Sequence, residues 1–207
     1  MLWAGVPTEA SLPALQVEIY YSSPTGRPLP HLAVGRRARN GRARMKTLLI
    51  VVHSLTGGAR QMAEAACLGA SAEPSVQPRL VSAQDARAAD VLAAEGYIFA
   101  TPENLAAMAG QMKDFFDRTY YPVLDRINGR PYASLICAGS DGENAARQIA
   151  RIAIGWRLRV VAAPLIVCTK AQTPEAILAA KTIGSADLDR CRDLGAALAA
   201  GLAAGIF

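Results

Sequence analysis

Hydrophobic and polar positions switch period repeatedly along this chain. Thr47-Leu48-Leu49-Ile50-Val51-Val52-His53 is a short run of branched apolar residues, the pattern of a strand buried on both faces of a parallel sheet. After a polar, glycine-containing turn, Ala59, Met62, Ala63, Ala66, Cys67 and Ala70 recur at helical spacing, which predicts a helix over 58–72. The alternation continues with a weak strand near 77–81, a short helix around 83–94 and a strand at 96–100. Met108, Met112, Phe115 and Phe116 then share one face of a helix running to about Tyr120. A fourth strand is expected over 132–138, followed by the loop Gly139-Ser140-Asp141-Gly142-Glu143. The next helix carries its core face on Ala145, Ile149, Ile152, Ala153 and Trp156. A fifth strand spans 159–168 with Pro164 as a point of rupture. A last helix from about Ala186 buries Leu188, Cys191, Leu194, Leu198 and Leu202. Five strands alternating with helices predict a three-layer α/β domain around a parallel sheet.

This periodic part begins at Met45. Before it, prolines at 7, 13, 24, 28 and 30 and no sustained period predict a loosely structured extension over 1–44 and a folded domain over 45–207. The division also locates the charge. Of the net +5, residues 1–45 hold six arginines against Glu9 and Glu18. Residues 46–207 are almost balanced, with 16 basic and 15 acidic groups. The arginine-rich stretch 36–44 has no interleaved aromatics to stack bases and no recognition helix, so nucleic acid is not an expected partner. The longest strongly apolar segment, Leu194–Phe207, has 14 residues and three glycines, short of the roughly 20 a bilayer span requires. Four cysteines without a CxxC pair, and only His31 and His53 beside them, point to no metal centre. They suit small buried thiols in a reducing cytoplasm.

In an open α/β sheet, ligands sit outside the carboxyl ends of the strands, which makes the loops after strands one, three and four the places to look. Ser54-Leu55-Thr56-Gly57-Gly58-Ala59 offers hydroxyls and glycine-freed amides at a helix start, a donor set suited to a phosphate. The same turn also reads as a simple helix cap. It lacks the Walker A lysine and is not GxGxxG. The third-strand segment Thr101-Pro102-Glu103-Asn104-Leu105, continuing through Met108, Met112-Lys113 and Phe115-Phe116-Asp117-Arg118, resembles the flavodoxin-like NAD(P)H-dependent FMN reductases and NAD(P)H:quinone oxidoreductases. Ser54, Thr56 and Gly57 match that family's phosphate loop, while Ala59 replaces its last hydroxyl.

The resemblance implies a flavodoxin-like fold with sheet order 2-1-3-4-5. It also implies FMN as cofactor, NAD(P)H as cosubstrate, a quinone, flavin or similar small acceptor reduced in a ping-pong cycle, and a homo-oligomer. Ser54, Leu55, Thr56, Gly57, Gly58 and Ala59 would hold the phosphate. Thr101, Pro102, Glu103, Asn104 and Leu105 would line the flavin ring, and Gly139, Ser140, Asp141 and Gly142 would approach its other edge. No acid/base side chain is required, because the cofactor carries the chemistry. Two alternatives stay open: a noncatalytic flavin-binding or electron-transfer module serving a protein partner, and an interaction domain that has lost the cofactor. His53, closing the first strand, reads as a hydrogen-bonded strand-end residue or as an electrostatic partner of a phosphate.

Overall fold

The computed structural model describes residues 45–207. The extension expected over 1–44 lies outside the described residues. From Met45 onward the chain runs β1 (Lys46–Val52), α1 (Gly58–Ala70), β2 (Val76–Ser82), α2 (Ala88–Ala93), β3 (Gly96–Asn104), β4 (Ala107–Met108) and α3 (Gly110–Val123). It continues with β5 (Pro131–Ala138), α4 (Glu143–Gly155), β6 (Arg159–Val160), β7 (Leu165–Cys168), α5 (Pro174–Leu178) and α6 (Ser185–Ala204).

The parallel sheet has the order β2-β1-β3-β5-β6, with β7 also on β5. This is the predicted 2-1-3-4-5 order, its fifth strand made in two pieces. β6 pairs with Pro131 and Tyr132, and β7 resumes opposite Leu135, so the chain leaves the sheet between them as Pro164 foreshadowed. β1 and β5 are central strands, and their apolar runs are correspondingly buried. β2 pairs only with β1 and is half exposed. As an edge strand it accommodates Pro78, whose missing N–H costs no ladder bond on the open side. One apolar cluster fills the space beneath α1 and α6, and a second, richer in aromatics, lies under α2, α3 and α4.

Several boundaries differ from the periodic reading. α2 starts at Ala88, not Ala83. The Ser82 carbonyl accepts from the Asp85 and Ala86 amides, and the Asp90 carboxylate accepts from the Arg87 amide at 2.9 Å where the helix opens five residues late. α3 continues past Tyr120 to Val123, with Pro122 in its last turn. Met108, grouped with α3 by spacing, belongs instead to β4, although it is buried as expected. Leu188 and Leu194 of α6 are only half-buried, and Gly195 and Gly201 take core positions further along the helix. Among the cysteines, Cys67, Cys137 and Cys191 are buried free thiols, whereas Cys168 is exposed, contrary to the expectation for all four. Among the described residues no helix is long and apolar enough to cross a membrane.

Candidate functional site

β1, β3 and β5 are neighbours in the sheet, so their following loops converge on one edge. Chain order reverses beside β1, since β2 lies on one flank and β3 on the other. The three loops therefore surround the topological switch point.

The first loop is shaped by its own hydroxyl. Ser54 Oγ accepts from the Gly57 amide at 3.1 Å, and Gly57 stands at φ +89°, a conformation glycine adopts without Cβ strain. α1 then starts with no side-chain cap and no acid in its first turn. The amides of Gly58 and Ala59 thus belong to a helix start whose first N–H groups have no intrahelical acceptor. Gly58 is required by space: a Cβ there would lie 2.4 Å from Cys137 Sγ. Leu55 projects outward, 73% exposed. Burial lowers the pKa of His53, so its imidazole is neutral at pH 7, and its backbone amide donates to the Ala100 carbonyl. The strand-end reading of His53 accounts for both facts.

The second loop is a hairpin. β3 runs on through Thr101–Asn104 and turns at Leu105 and Ala106, both at positive φ (49° and 57°). It then pairs back through β4, with Glu103 opposite Met108 and Asn104 opposite Ala107. Two consecutive left-handed residues make the turn type that matches strand twist, here without the usual Asn or Gly. The Thr101 side chain is spent inside the hairpin: Oγ1 accepts from the Ala109 amide at 3.3 Å and donates to the Pro102 carbonyl at 3.1 Å. Pro102 is half-buried, Asn104 is exposed and Leu105 is fully exposed at the tip.

Glu103 joins this hairpin to the third loop. Its carboxylate accepts from the Gly142 amide at 2.6 Å and the Ala145 amide at 3.1 Å, capping α4 from a neighbouring strand. Asn144 Nδ2 donates to the Ala106 carbonyl, and Gln148 Oε1 accepts from the Met108 amide at 2.9 Å. Gly142 stands at φ +92°, where a Cβ would lie 2.6 Å from Ile166 Cγ2. Ser140 and Asp141 remain exposed at the cleft.

One contributor has no counterpart in the sequence reading. The segment after β7 returns to the first loop, where the Lys181 amide donates to the Thr56 carbonyl at 2.8 Å. Gln61 Nε2 bridges the Gly57 and Lys181 carbonyls, and Gln61 Oε1 accepts from the Ile183 amide. Lys181 Nζ closes α5 by donating to the carbonyls of Ala176, Ile177 and Ala179. Segments over 100 residues apart in the chain brace the turn, and no local pattern signals that pairing. A depression of about 310 Å³, involving Lys46, Glu95, Arg130 and Phe207, lies at the amino ends of β1 and β5, away from the switch point.

Comparison with known proteins agrees with this fold. The family model described as NADPH-dependent FMN reductase matches residues 80–173. A flavodoxin from Aquifex aeolicus is 29% identical, the match covering 47% of this chain and 53% of the relative. An NAD(P)H dehydrogenase (quinone) from Acidithiobacillus ferrooxidans is 33% identical, covering 36% of this chain and 48% of the relative. The chain thus spans about half the length of the curated relatives it matches. A solved flavodoxin from the domain Archaea aligns with TM-score 0.62 at 22% identity, over 76% of this chain and 99% of that one. The fold is flavodoxin-like, and the resemblance to the FMN reductases extends well beyond the motif at 101–118.

Proposed function

We propose that this chain binds FMN across the carboxyl ends of β1, β3 and β5 and acts as an NAD(P)H-dependent oxidoreductase toward a small acceptor such as a quinone or a free flavin. The observation that carries the reading is the uncapped start of α1 at the switch point, opened by left-handed Gly57 and flanked by the Ser54 and Thr56 hydroxyls. This donor set fits a phosphate: it is concave, backbone-rich and without a carboxylate in the first helical turn. Ala59 supplies its amide but no hydroxyl. The residue relatives use there as a further donor is replaced at a cost on the order of 1 kcal/mol of binding.

When bound, FMN supplies the electron chemistry. The chain's residues bind and orient. Ser54, Thr56 and the amides of Gly58 and Ala59 hold the phosphate end. The Pro102–Leu105 hairpin tip and the Gly139–Gly142 loop border the ring end, kept at a fixed separation by Glu103. Donor and acceptor would take turns at one cleft, the arrangement a ping-pong cycle requires. The buried free thiols suit the reducing cytoplasm, and the relatives' resemblance argues for a homo-oligomer, which sedimentation at tens of micromolar would test.

A second reading draws on Leu55 and Leu105, two exposed leucines on loops that border the cleft. They suit a protein contact, as in an electron-transfer module. Incubation with FMN, removal of free ligand and anaerobic addition of NADH or NADPH separate the two. Retained absorbance near about 450 nm that bleaches supports the reductase. Retained absorbance that does not bleach favours the module, and protein that fails to retain FMN overturns both.

A further inference from the structure

A second cleft opens on the opposite side of β5, about 200 Å³ in volume, between that strand, α4 and the gap separating β6 from β7. Its origin is the strand rupture. β6 leaves β5 after Tyr132 and β7 rejoins it only at Leu135, so among the described residues that edge of β5 has no strand partner at Ser134, which β3 pairs on its other edge. The floor is Tyr132 and Ser134, two residues apart and hence on one face of β5. Ala150 and Ile154 of α4, with Leu158 and Val160, form apolar walls.

The two hydroxyls are the informative feature. Tyr132 and Ser134 are only 5% and 4% exposed, and among the described residues neither side chain has a hydrogen-bond partner. Neither hydroxyl is a fully buried unpaired atom, and both residues line the cleft. Hydroxyls on the accessible floor of a cleft take their partners from whatever fills it, water or ligand. Water alone pairs them poorly here. The cleft has room for several molecules, each wanting two to four polar partners, while the walls are hydrocarbon. Among the described residues no charged side chain lines it, and burial raises the Tyr132 pKa, which keeps the phenol protonated as a donor. An apolar body with one or two oxygens satisfies floor and walls together.

We propose that this cleft binds a small uncharged cyclic molecule bearing a carbonyl or hydroxyl oxygen, its ring against Ala150 and Ile154 and its oxygen on Ser134 and Tyr132. The site is separate from the cofactor cleft, because Ser134 lies four residues, about 13 Å, before the carboxyl end of β5. The two share α4. Ala146 lines the cleft while its amide donates to the carbonyl of Gly142, the residue whose own amide Glu103 holds. An occupant therefore leans on the helix that positions the third loop.

The test uses the full chain without FMN and does not depend on the flavin reading. Isotope-labelled protein is titrated with phenol, with cyclohexanone and, as a charged comparator, with benzoate, and amide shifts are followed by NMR. Saturable shifts at Ser134, Ala150 and Ile154 are expected for the two neutral probes, with a dissociation constant of about a millimolar or below. Ser134→Ala and Tyr132→Phe should each weaken binding about fivefold, and Ala150→Phe, which fills the cleft, should abolish it. Ile154→Trp, at an exposed position on the rim, provides a second block should Ala150→Phe fail to fold. Shifts that never saturate, shifts confined to other surfaces, binding untouched by the blocking variants, or equal binding of benzoate would each overturn the proposal.

Discussion

The two faces of the sheet are covered by different means. Under α1 and α6 the fit is backbone against backbone: a Cβ on Gly195 would lie 1.9 Å from the Ala66 carbonyl oxygen, and one on Gly69 would lie 1.9 Å from that of Arg192. Under α3 and α4 the space is filled by rings, with Phe99, Phe115, Phe116, Tyr120 and Trp156 in mutual contact at 5.0–6.4 Å. A seam of small residues tolerates almost no displacement, whereas bulky side chains can shift and leave gaps. The first loop hangs from α1, on the tight side. The third opens α4, on the looser side, where the second cleft also lies, and it requires a separate latch from Glu103.

The largest break should come at the tight seam. Gly195→Val pushes two methyl groups into the α1 backbone and should cost about 5 kcal/mol, enough to abolish cooperative urea unfolding or shift it to very low denaturant. On the other face Phe116→Ala removes a ring from a cluster that can partly close around the void, with an expected loss of about 3–4 kcal/mol by the same measurement. If the two variants were reversed in severity, the contrast between the faces would be wrong.

Glu103→Ala sharpens the comparison at the loops. It should cost about 1.5–3 kcal/mol and raise hydrogen exchange at the Gly142 and Ala145 amides, while exchange along α1 stays unchanged. Gly57→Ala does the reverse. It places a Cβ in the left-handed region at about 1–2 kcal/mol and should weaken FMN retention while leaving the α4 amides protected. The smallest effect is at His53. Its folded pKa lies below the unfolded value of about 6.5, so the unfolded state takes up the proton first. The stability carried by the neutral imidazole is full above that pH and is lost as pH falls from there through the folded value. His53→Asn should flatten that part of the pH–stability profile, and NMR titration should place the native imidazole below 6.5.

The fold was largely readable in the chain. Thr47–Val52 and Tyr132–Ala138 are near-continuous apolar runs because both faces of a central parallel strand are covered. The α1 stripe is legible because one face of that helix is solvated. What was hidden follows a different physics. β4 escaped because its turn uses Leu105 and Ala106 at positive φ, where sequence patterns lead one to seek Asn or Gly. The late start of α2 depends on hydrogen bonds across the Ser82–Asp90 turn rather than on hydrophobic spacing.

The candidate site divides along the same line. Ser54, Thr56, Gly57 and Gly58 are neighbours in sequence, so their turn and its donors are a local property that the chain states by itself. The partners of Glu103 lie 39 and 42 residues away, and Gln61 meets Lys181 across 120. A carboxylate or an amide is satisfied by whatever group the sheet order brings within 3 Å, and that order arises from packing the whole domain. Sequence alone therefore determined the layers, the strand order by resemblance and the glycine turn ahead of α1. Only the tertiary structure decided that Glu103 is a latch, that Thr101 braces a hairpin and that Tyr132 and Ser134 face a cleft, because each of these is a contact between distant segments.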